Sequence, residues 1–118
     1  MIVKAEEHVM DGNVQLRMIF IDDEAIREKI VQRRKQILVH SAMYYEMGES
    51  IISDQTWDKW ARELYDLQSR YPDIAKDCFL AEEFSNFDAC SGYYLPLYLP
   101  WVRAKAAELL NYHKRMMG

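Results

Sequence analysis

The sequence predicts a mainly helical protein with a small β-hairpin, an α+β fold in one domain of 118 residues. Three observations lead to this prediction: alternating apolar residues near the amino terminus, two capped stretches of helical periodicity, and a third helical stretch opened by a proline. A chain of this length is enough for a single core but not for two, and half of its residues are apolar. We therefore expect a hairpin over 2–21, a helical hairpin over 23–72 and a C-terminal helical extension over 73–118.

The hairpin is predicted by a period-2 pattern, in which Val14, Leu16, Met18 and Phe20 alternate with polar residues or isoleucine. Asp11-Gly12 stands where the turn should lie, because glycine tolerates positive φ angles. An isolated two-stranded hairpin is marginally stable in water. We therefore expect it to lie on the helices or to pair with the same edge of a second copy, forming a homodimer.

The first two helices are delimited by capping residues. Asp22 or Asp23 can cap a helix that runs to about Met47, and Gly48 then ends it. Ser53 is a natural N-cap for the second helix, which Tyr71-Pro72 ends. Their predicted apolar stripes are Ile26, Ile30, Ile37, Ser41, Tyr44 and Tyr45 in the first helix, and Trp57, Trp60, Ala61, Leu64, Leu67 and Tyr71 in the second.

The region from residue 73 to residue 99 has a poorer pattern, in which we expect a short helix around Ala81–Phe87 and then an aromatic loop. Pro100 opens a final helix that extends to about Met116. Four aromatic residues in or next to this loop can either cover the core or form a protein-binding surface, since tyrosine and tryptophan anchor interfaces. These four residues are Tyr93, Tyr94, Tyr98 and Trp101.

Composition excludes several classes of protein. A net charge of −4 argues against a protein that mainly binds a phosphate backbone, so direct nucleic-acid binding is not expected. We interpret the Arg33-Arg34-Lys35 cluster as a solvated helix face. No apolar run approaches the roughly 20 residues of a membrane-spanning helix. Two cysteines without zinc-type spacing fit a reduced, cytoplasmic protein that binds no metal.

One cluster of residues suggests a binding site. Asp54 and Asp58 are four residues apart and share a helix face with Trp57, and the first helix ends with Tyr44 and Tyr45 just before the connecting loop. Carboxylates beside aromatic faces suit a flat cationic ring, through cation–π and Coulomb attraction. A purely structural interpretation also stands, with Trp57 in the core and Asp58 paired to Arg62.

Other candidate chemistry is weaker. The three histidines lie far apart on three elements, so a catalytic triad with Ser41 or Ser53 is not indicated. We expect His40 to be a structural hydrogen-bonding residue. Glu82, Glu83 and Asp88 have no metal-ligand spacing, and we interpret them as a solvated acidic face.

Four segments follow one another with a regular spacing. They are His40–Tyr45, Ile52–Asp58, Arg62–Leu64 and Tyr71–Ile74. This arrangement resembles the amino-terminal domain of bacterial NAD-dependent DNA ligases, with its pattern H-x-Y-x-Y-[HY], a short loop, [PS]-D-x-x-Y-D, x-E-L and [HY]-P-E-[LI]. The resemblance implies a helical domain that clasps the nicotinamide mononucleotide (NMN) half of NAD.

The resemblance also assigns residues. It implies that Tyr44, Tyr45, Asp54, Trp57 and Asp58 contact NMN or NAD, with Trp57 replacing a family tyrosine and Tyr45 standing where the family often has histidine. Ala42 stands where the family usually has tyrosine.

The sequence contains no Lys-x-Asp-Gly, the motif that supplies the covalent nucleophile of these ligases, and none of their DNA-binding modules. We therefore expect a protein that binds the nucleotide without turning it over. The alternative is a protein-interaction module, an accessory or inhibitor protein of a bacterium or its phage, that reuses the same scaffold to bind a host protein.

Overall fold

The computed structural model describes residues 2–4 and 19–117, with side chains from residue 22 onward. Two short strands, β1 (Ile2–Lys4) and β2 (Ile19–Ile21), pair antiparallel, with Ile2 opposite Ile21 and Lys4 opposite Ile19. The Asp11-Gly12 turn and the rest of the predicted hairpin lie outside the described residues. The hairpin therefore stays a prediction, and so does a homodimer through its edge.

Helix α1 (Asp23–Met47) begins and ends where the sequence predicts. The side chain of Asp22 accepts a hydrogen bond from the amide of Glu24, which satisfies one of the free N–H groups of the first turn. Gly48 closes the helix in the left-handed conformation, at φ 68°, and its amide donates to the carbonyl of Met43. The local signals are therefore sufficient to fix a helix of 25 residues.

Helix α2 (Asp54–Arg70) begins after Ser53, whose Oγ accepts a hydrogen bond from the Thr56 amide at 3.1 Å. It lies against α1, with Ala61 and Leu64 fully buried and Trp57, Trp60, Leu67 and Tyr71 half-buried. Between the two helices, Arg33 Nη2 lies 2.9 Å from Glu63 Oε1. The predicted amphipathic stripe of this helix is thus confirmed.

A third helix, α3 (Pro72–Asp77), follows immediately and was not expected, because the proline was interpreted as a stop signal. Proline at the first helical position loses no hydrogen bond, so it opens α3 as well as closing α2. The helix expected around Ala81–Phe87 is wrong. That stretch is a series of turns, in which the amides of Ser85 and Phe87 bond to carbonyls three residues back.

Helix α4 (Pro100–Met117) completes the described structure and confirms the prediction from Pro100. Val102, Ala106 and Leu110 point to the core, where they join buried side chains of α1, α2 and the intervening turns. The protein is mainly helical, as predicted. Among the described residues, no helix combines the length and apolar character needed to cross a bilayer.

Arg34 corrects the interpretation of the basic cluster as a solvated face. Its side chain is only 1% exposed and occupies the core beneath α3. The guanidinium donates to the carbonyl oxygens of Ala75 and Phe79, both at 2.9 Å, and of Cys78 at 3.3 Å, and to Oε1 of Gln68 at 2.8 Å. One side chain of α1 thereby bonds one carbonyl group of α3, that of Ala75, and two carbonyl groups of the turn behind it.

Candidate functional site

The junction of α1 and α2 encloses an open recess of about 330 Å³, within the range of small-molecule pockets. We call it the α1–α2 recess. The end of α1, the connecting loop, the first turn of α2 and the segment Cys90–Gly92 form its walls. Its lining residues are His40, Ser41, Tyr44, Tyr45, Ser50, Ile52, Ser53, Asp54, Trp57, Asp58, Cys90, Ser91 and Gly92.

The structure brings together all five residues singled out from the sequence, since Tyr44, Tyr45, Asp54, Trp57 and Asp58 all line this recess. Gly48 reverses the chain after α1, and Ser53 starts α2 five residues later, so the two helix ends face each other across a short loop. The capping residues that delimit the helices thus also position the site.

Trp57 forms part of the inner wall. Its indole is half-buried, and Nε1 donates a hydrogen bond to Oγ of Ser41 at 3.1 Å. The purely structural interpretation of Trp57 therefore holds in part, because the indole packs against the core while it lines the recess. A side chain that is anchored in this way presents a fixed aromatic surface to a ligand.

The two acids are exposed and unpaired. In the part of the chain with described side chains, neither Asp54 nor Asp58 forms an ion pair or a side-chain hydrogen bond, and the alternative Asp58–Arg62 pair is not formed. Both carboxylates are therefore free to accept hydrogen bonds or to attract a cation.

Tyr44 and Tyr45 were predicted to continue the apolar stripe of α1, but they are 58% and 43% exposed. Their rings meet edge to face at 4.9 Å. Tyr45 also meets Tyr93 at 5.3 Å, and its hydroxyl lies 3.4 Å from Oγ of Ser91. The paired phenols therefore form the rim of the recess and connect it to the aromatic loop.

The fourth wall, Cys90–Gly92, is not predicted from the sequence. A Cβ on Gly92 would lie 2.2 Å from Oγ of Ser41 and 3.4 Å from Cζ2 of Trp57, so this glycine lets the backbone approach the floor of the recess. The Ser-Gly pair just before Tyr93 is the only local signal. No helical spacing connects it to α1, so its place in the site depends on tertiary structure.

Three of the four aromatic residues proposed as one surface divide into two groups by their ring contacts. Tyr93 and Tyr94 stack edge to face at 5.2 Å beside Tyr45, whereas Trp101 packs against Phe79, with ring centroids 6.0 Å apart. Tyr94 and Tyr98 remain 90% and 67% exposed.

Comparison with known proteins matches the part of the chain that runs from the start of α1 to the end of α3. Residues 23–77 match the DNA ligase-like, N-terminal NAD+-binding domain. This ligase-like segment comprises α1, the recess loop, α2 and α3, and it confirms the resemblance drawn from the sequence motifs. Within the described residues, no group of three or more acidic, cysteine or histidine side chains is arranged to hold a metal ion.

Several relatives of this chain carry the name DNA ligase. Those from Fervidobacterium nodosum and Pseudothermotoga lettingae are 33% and 35% identical over 51 residues, which cover 43% of this chain and 8% of each ligase. The ligase of Petrotoga mobilis is 26% identical over 100 residues, which cover 78% of this chain and 14% of the ligase. The chain thus spans a small part of these relatives. No solved structure matches it.

His40 corrects another expectation, because its Nδ1 is buried without a hydrogen-bond partner among the described residues. The ring lies 5.6 Å from that of Trp60. Burial disfavours the charged imidazolium and lowers the pKa of His40 below its ordinary value of 6.5. His40 is therefore neutral at neutral pH.

This shift predicts a loss of stability in mild acid. The unfolded chain binds a proton near pH 6.5, before the folded chain does, so the free energy of unfolding should fall as the pH decreases below about 6.5. Urea unfolding, repeated at several pH values between about pH 5 and about pH 8, measures this change in the free energy of unfolding. His40→Phe should flatten this part of the profile, and an unchanged profile in the variant would contradict the assignment.

Proposed function

We propose that this protein binds a nicotinamide nucleotide, NMN or the NMN half of NAD, in the α1–α2 recess and does not turn it over. The observation that carries the proposal is the convergence of two unpaired carboxylates, one anchored indole and two exposed phenols on a single hollow. The match of residues 23–77 to an NAD+-binding domain supports the same ligand class.

The residues fit the chemistry of the ligand. A nicotinamide ring attached to ribose is a flat cation, which aromatic faces such as those of Tyr44 and Trp57 attract. Asp54 and Asp58 can accept hydrogen bonds from ribose hydroxyls and from the carboxamide N–H groups. The serine hydroxyls are less available, because Ser50 and Ser53 bond within the loop and the α2 cap.

The absence of turnover is proposed from the sequence. These 118 residues contain no Lys-x-Asp-Gly, so the lysine nucleophile of the ligases has no counterpart in them. The lining of the recess includes no lysine either. Adenylyl transfer by these residues is therefore not part of the proposed function.

The test is Asp58→Asn, which keeps the shape of the side chain and removes its charge. NMN should bind the unmodified protein and raise its melting temperature, and the variant should bind about 10- to 100-fold more weakly, since hydrogen bonds to charged groups contribute about 1.5–3 kcal/mol. Calorimetric titration measures both affinities.

Asp66→Asn is the matched control. Asp66 lies on the same helix, is exposed, and pairs with Arg70 outside the recess. This variant should bind NMN as the unmodified protein does. Equal affinities in all three proteins, or no NMN binding at millimolar concentration, would contradict the proposal.

A protein-interaction module is the second candidate. It is favoured by the exposure of Tyr94 and Tyr98, which are large aromatic residues that anchor protein interfaces elsewhere. In that case, no nicotinamide ligand should shift the melting temperature, and a complex isolated from bacterial lysate should be lost in Tyr94→Ser.

A further inference from the structure

The charged residues that line the α1–α2 recess are acidic, and none is basic. Asp54 and Asp58 are its ionised lining residues, and the lining described above includes neither lysine nor arginine. His40 also lines it, but burial lowers the pKa of this histidine, so the imidazole contributes no positive charge at neutral pH. The charged side chains among the described lining residues are therefore both negative.

Bases of α4 that approach the neighbouring residues are already neutralised. Arg103 pairs with Glu46, and Lys114 Nζ lies 3.8 Å from Oε2 of Glu49. Lys59, which follows Asp58 in the chain, is exposed and does not line the recess. An anionic group bound here would therefore lack a cationic partner among the described lining residues.

The amino terminus of α2 does not supply that partner. A helix amino terminus attracts anions through its free N–H groups and its dipole. Here Ser53 Oγ already accepts the amide hydrogen of Thr56, and Asp54 places a negative charge in the first turn. The first turn of α2 thus carries a carboxylate that repels a phosphate, and one of its amides is already bonded.

Tyr45 also fails to provide a cationic partner for a phosphate. It stands where the ligase pattern often has histidine, and its hydroxyl lies within hydrogen-bond distance of Ser91 Oγ. A phenol carries no charge that would balance a phosphate, whereas a phosphate monoester carries about −1.5 to −2 at neutral pH. Each feature therefore favours the ring end of a nicotinamide nucleotide over its phosphate end.

We infer that the recess selects the cationic nicotinamide riboside, without a 5′-phosphate, over NMN. This inference rests on the proposed binding of nicotinamide nucleotides at this site and specifies that the site prefers the corresponding nucleoside, which lacks the phosphate. The two ligands share the pyridinium ring, the carboxamide and the ribose. The difference between their affinities therefore reports the effect of the phosphate alone. The cation gains attraction from both carboxylates, and the phosphate adds repulsion.

Calorimetric titration with three probes tests the inference: nicotinamide riboside, NMN and the neutral reduced riboside. At about 0.01 M salt, where the Debye length is about 30 Å, the riboside should bind at least about tenfold more tightly than NMN, which corresponds to about 1.4 kcal/mol. The gap should narrow at about 1 M salt, where the Debye length is about 3 Å. The reduced riboside should bind more weakly than the cation.

Variants separate charge from shape. Asp54→Asn combined with Asp58→Asn should bring the two affinities to within about a factor of two, because the repulsion and the attraction disappear together. Asp66→Asn, outside the recess, should preserve the full preference. NMN binding as tight as that of the riboside in the unmodified protein would overturn the inference and leave the proposed function standing. Absence of binding by every probe would contradict the proposed function itself.

Discussion

Replacing Arg34 by methionine is expected to lower the free energy of unfolding by about 3–5 kcal/mol. The guanidinium is the donor for three backbone carbonyl groups, those of Ala75, Cys78 and Phe79. Methionine fills a similar volume but donates nothing, so the carbonyl groups of Cys78 and Phe79 would lose this donor in a buried setting. The carbonyl of Ala75 would keep only its bond from the amide of Cys78, at 3.4 Å. The loss should be largest at α3, whose last turn depends on this contact.

Lys35→Met is the matched control, because it replaces the next basic residue of α1 by methionine at an exposed position, where the ammonium contacts only the ring of Phe79, at 5.7 Å. It should change stability by at most about 1 kcal/mol. Urea unfolding followed by circular dichroism measures the free energy of unfolding of both variants. In a thermal scan, the Arg34 variant should melt at least about 12 °C lower than the unmodified protein. Similar stabilities of the two variants would show that the carbonyl groups find other partners.

Introducing a side chain at Gly92 is expected to damage both the fold and the recess. In Gly92→Ala, the new Cβ would lie 2.8 Å from Cβ of Ser41 as well as 2.2 Å from its Oγ. The hydroxyl can rotate away only by giving up the bond from Trp57 Nε1, and Cβ cannot rotate at all. We expect a destabilisation of about 1–3 kcal/mol and weaker ligand binding.

A double-mutant cycle tests the cause. Ser41→Gly removes both atoms that the new methyl group would meet, so the cost of Gly92→Ala should be smaller by at least about 1 kcal/mol in that background than alone. Chemical unfolding of the four proteins gives the coupling energy. Additive effects would indicate that the segment Cys90–Gly92 moves away without resistance from Ser41.

The helices that the sequence predicts well are those with local boundary signals. Asp22, Gly48, Ser53 and Pro100 each act within one turn of their own position, through a side-chain cap, a left-handed φ angle or a missing N–H. Such effects need no knowledge of the fold. For that reason, α1, α2 and α4 have nearly the predicted limits.

The stretch after α2 could not be predicted in the same way. Leu80 and Ala89 have positive φ angles that no local pattern indicates, and the carbonyl groups around Cys78 find their donor 44 residues earlier, in Arg34. Long-range contacts of this kind override the helical tendency of residues 81–87. They also explain why the basic cluster in α1 was interpreted as a solvated surface.

The candidate site likewise contains residues that local sequence patterns predict and one residue that they do not. Tyr44, Tyr45, Asp54, Trp57 and Asp58 were found because two helix ends and a short loop place them in a spacing that the sequence displays. Gly92 reaches Ser41 and Trp57 from half a chain away. The family pattern does not include it, and only the packed structure reveals it.

The hydrogen bond between Trp57 and Ser41 joins the floor of the recess to the core, whereas the mouth of the recess is exposed. These two parts of the recess therefore tolerate substitution to different degrees. Its floor, where Gly92 also packs, is shared with the core, so a substitution there alters folding and recognition together. The exposed phenols and acids at the mouth take no part in that packing. New ligand preferences can therefore arise by exchange of side chains at the mouth, while the helical scaffold beneath them stays intact.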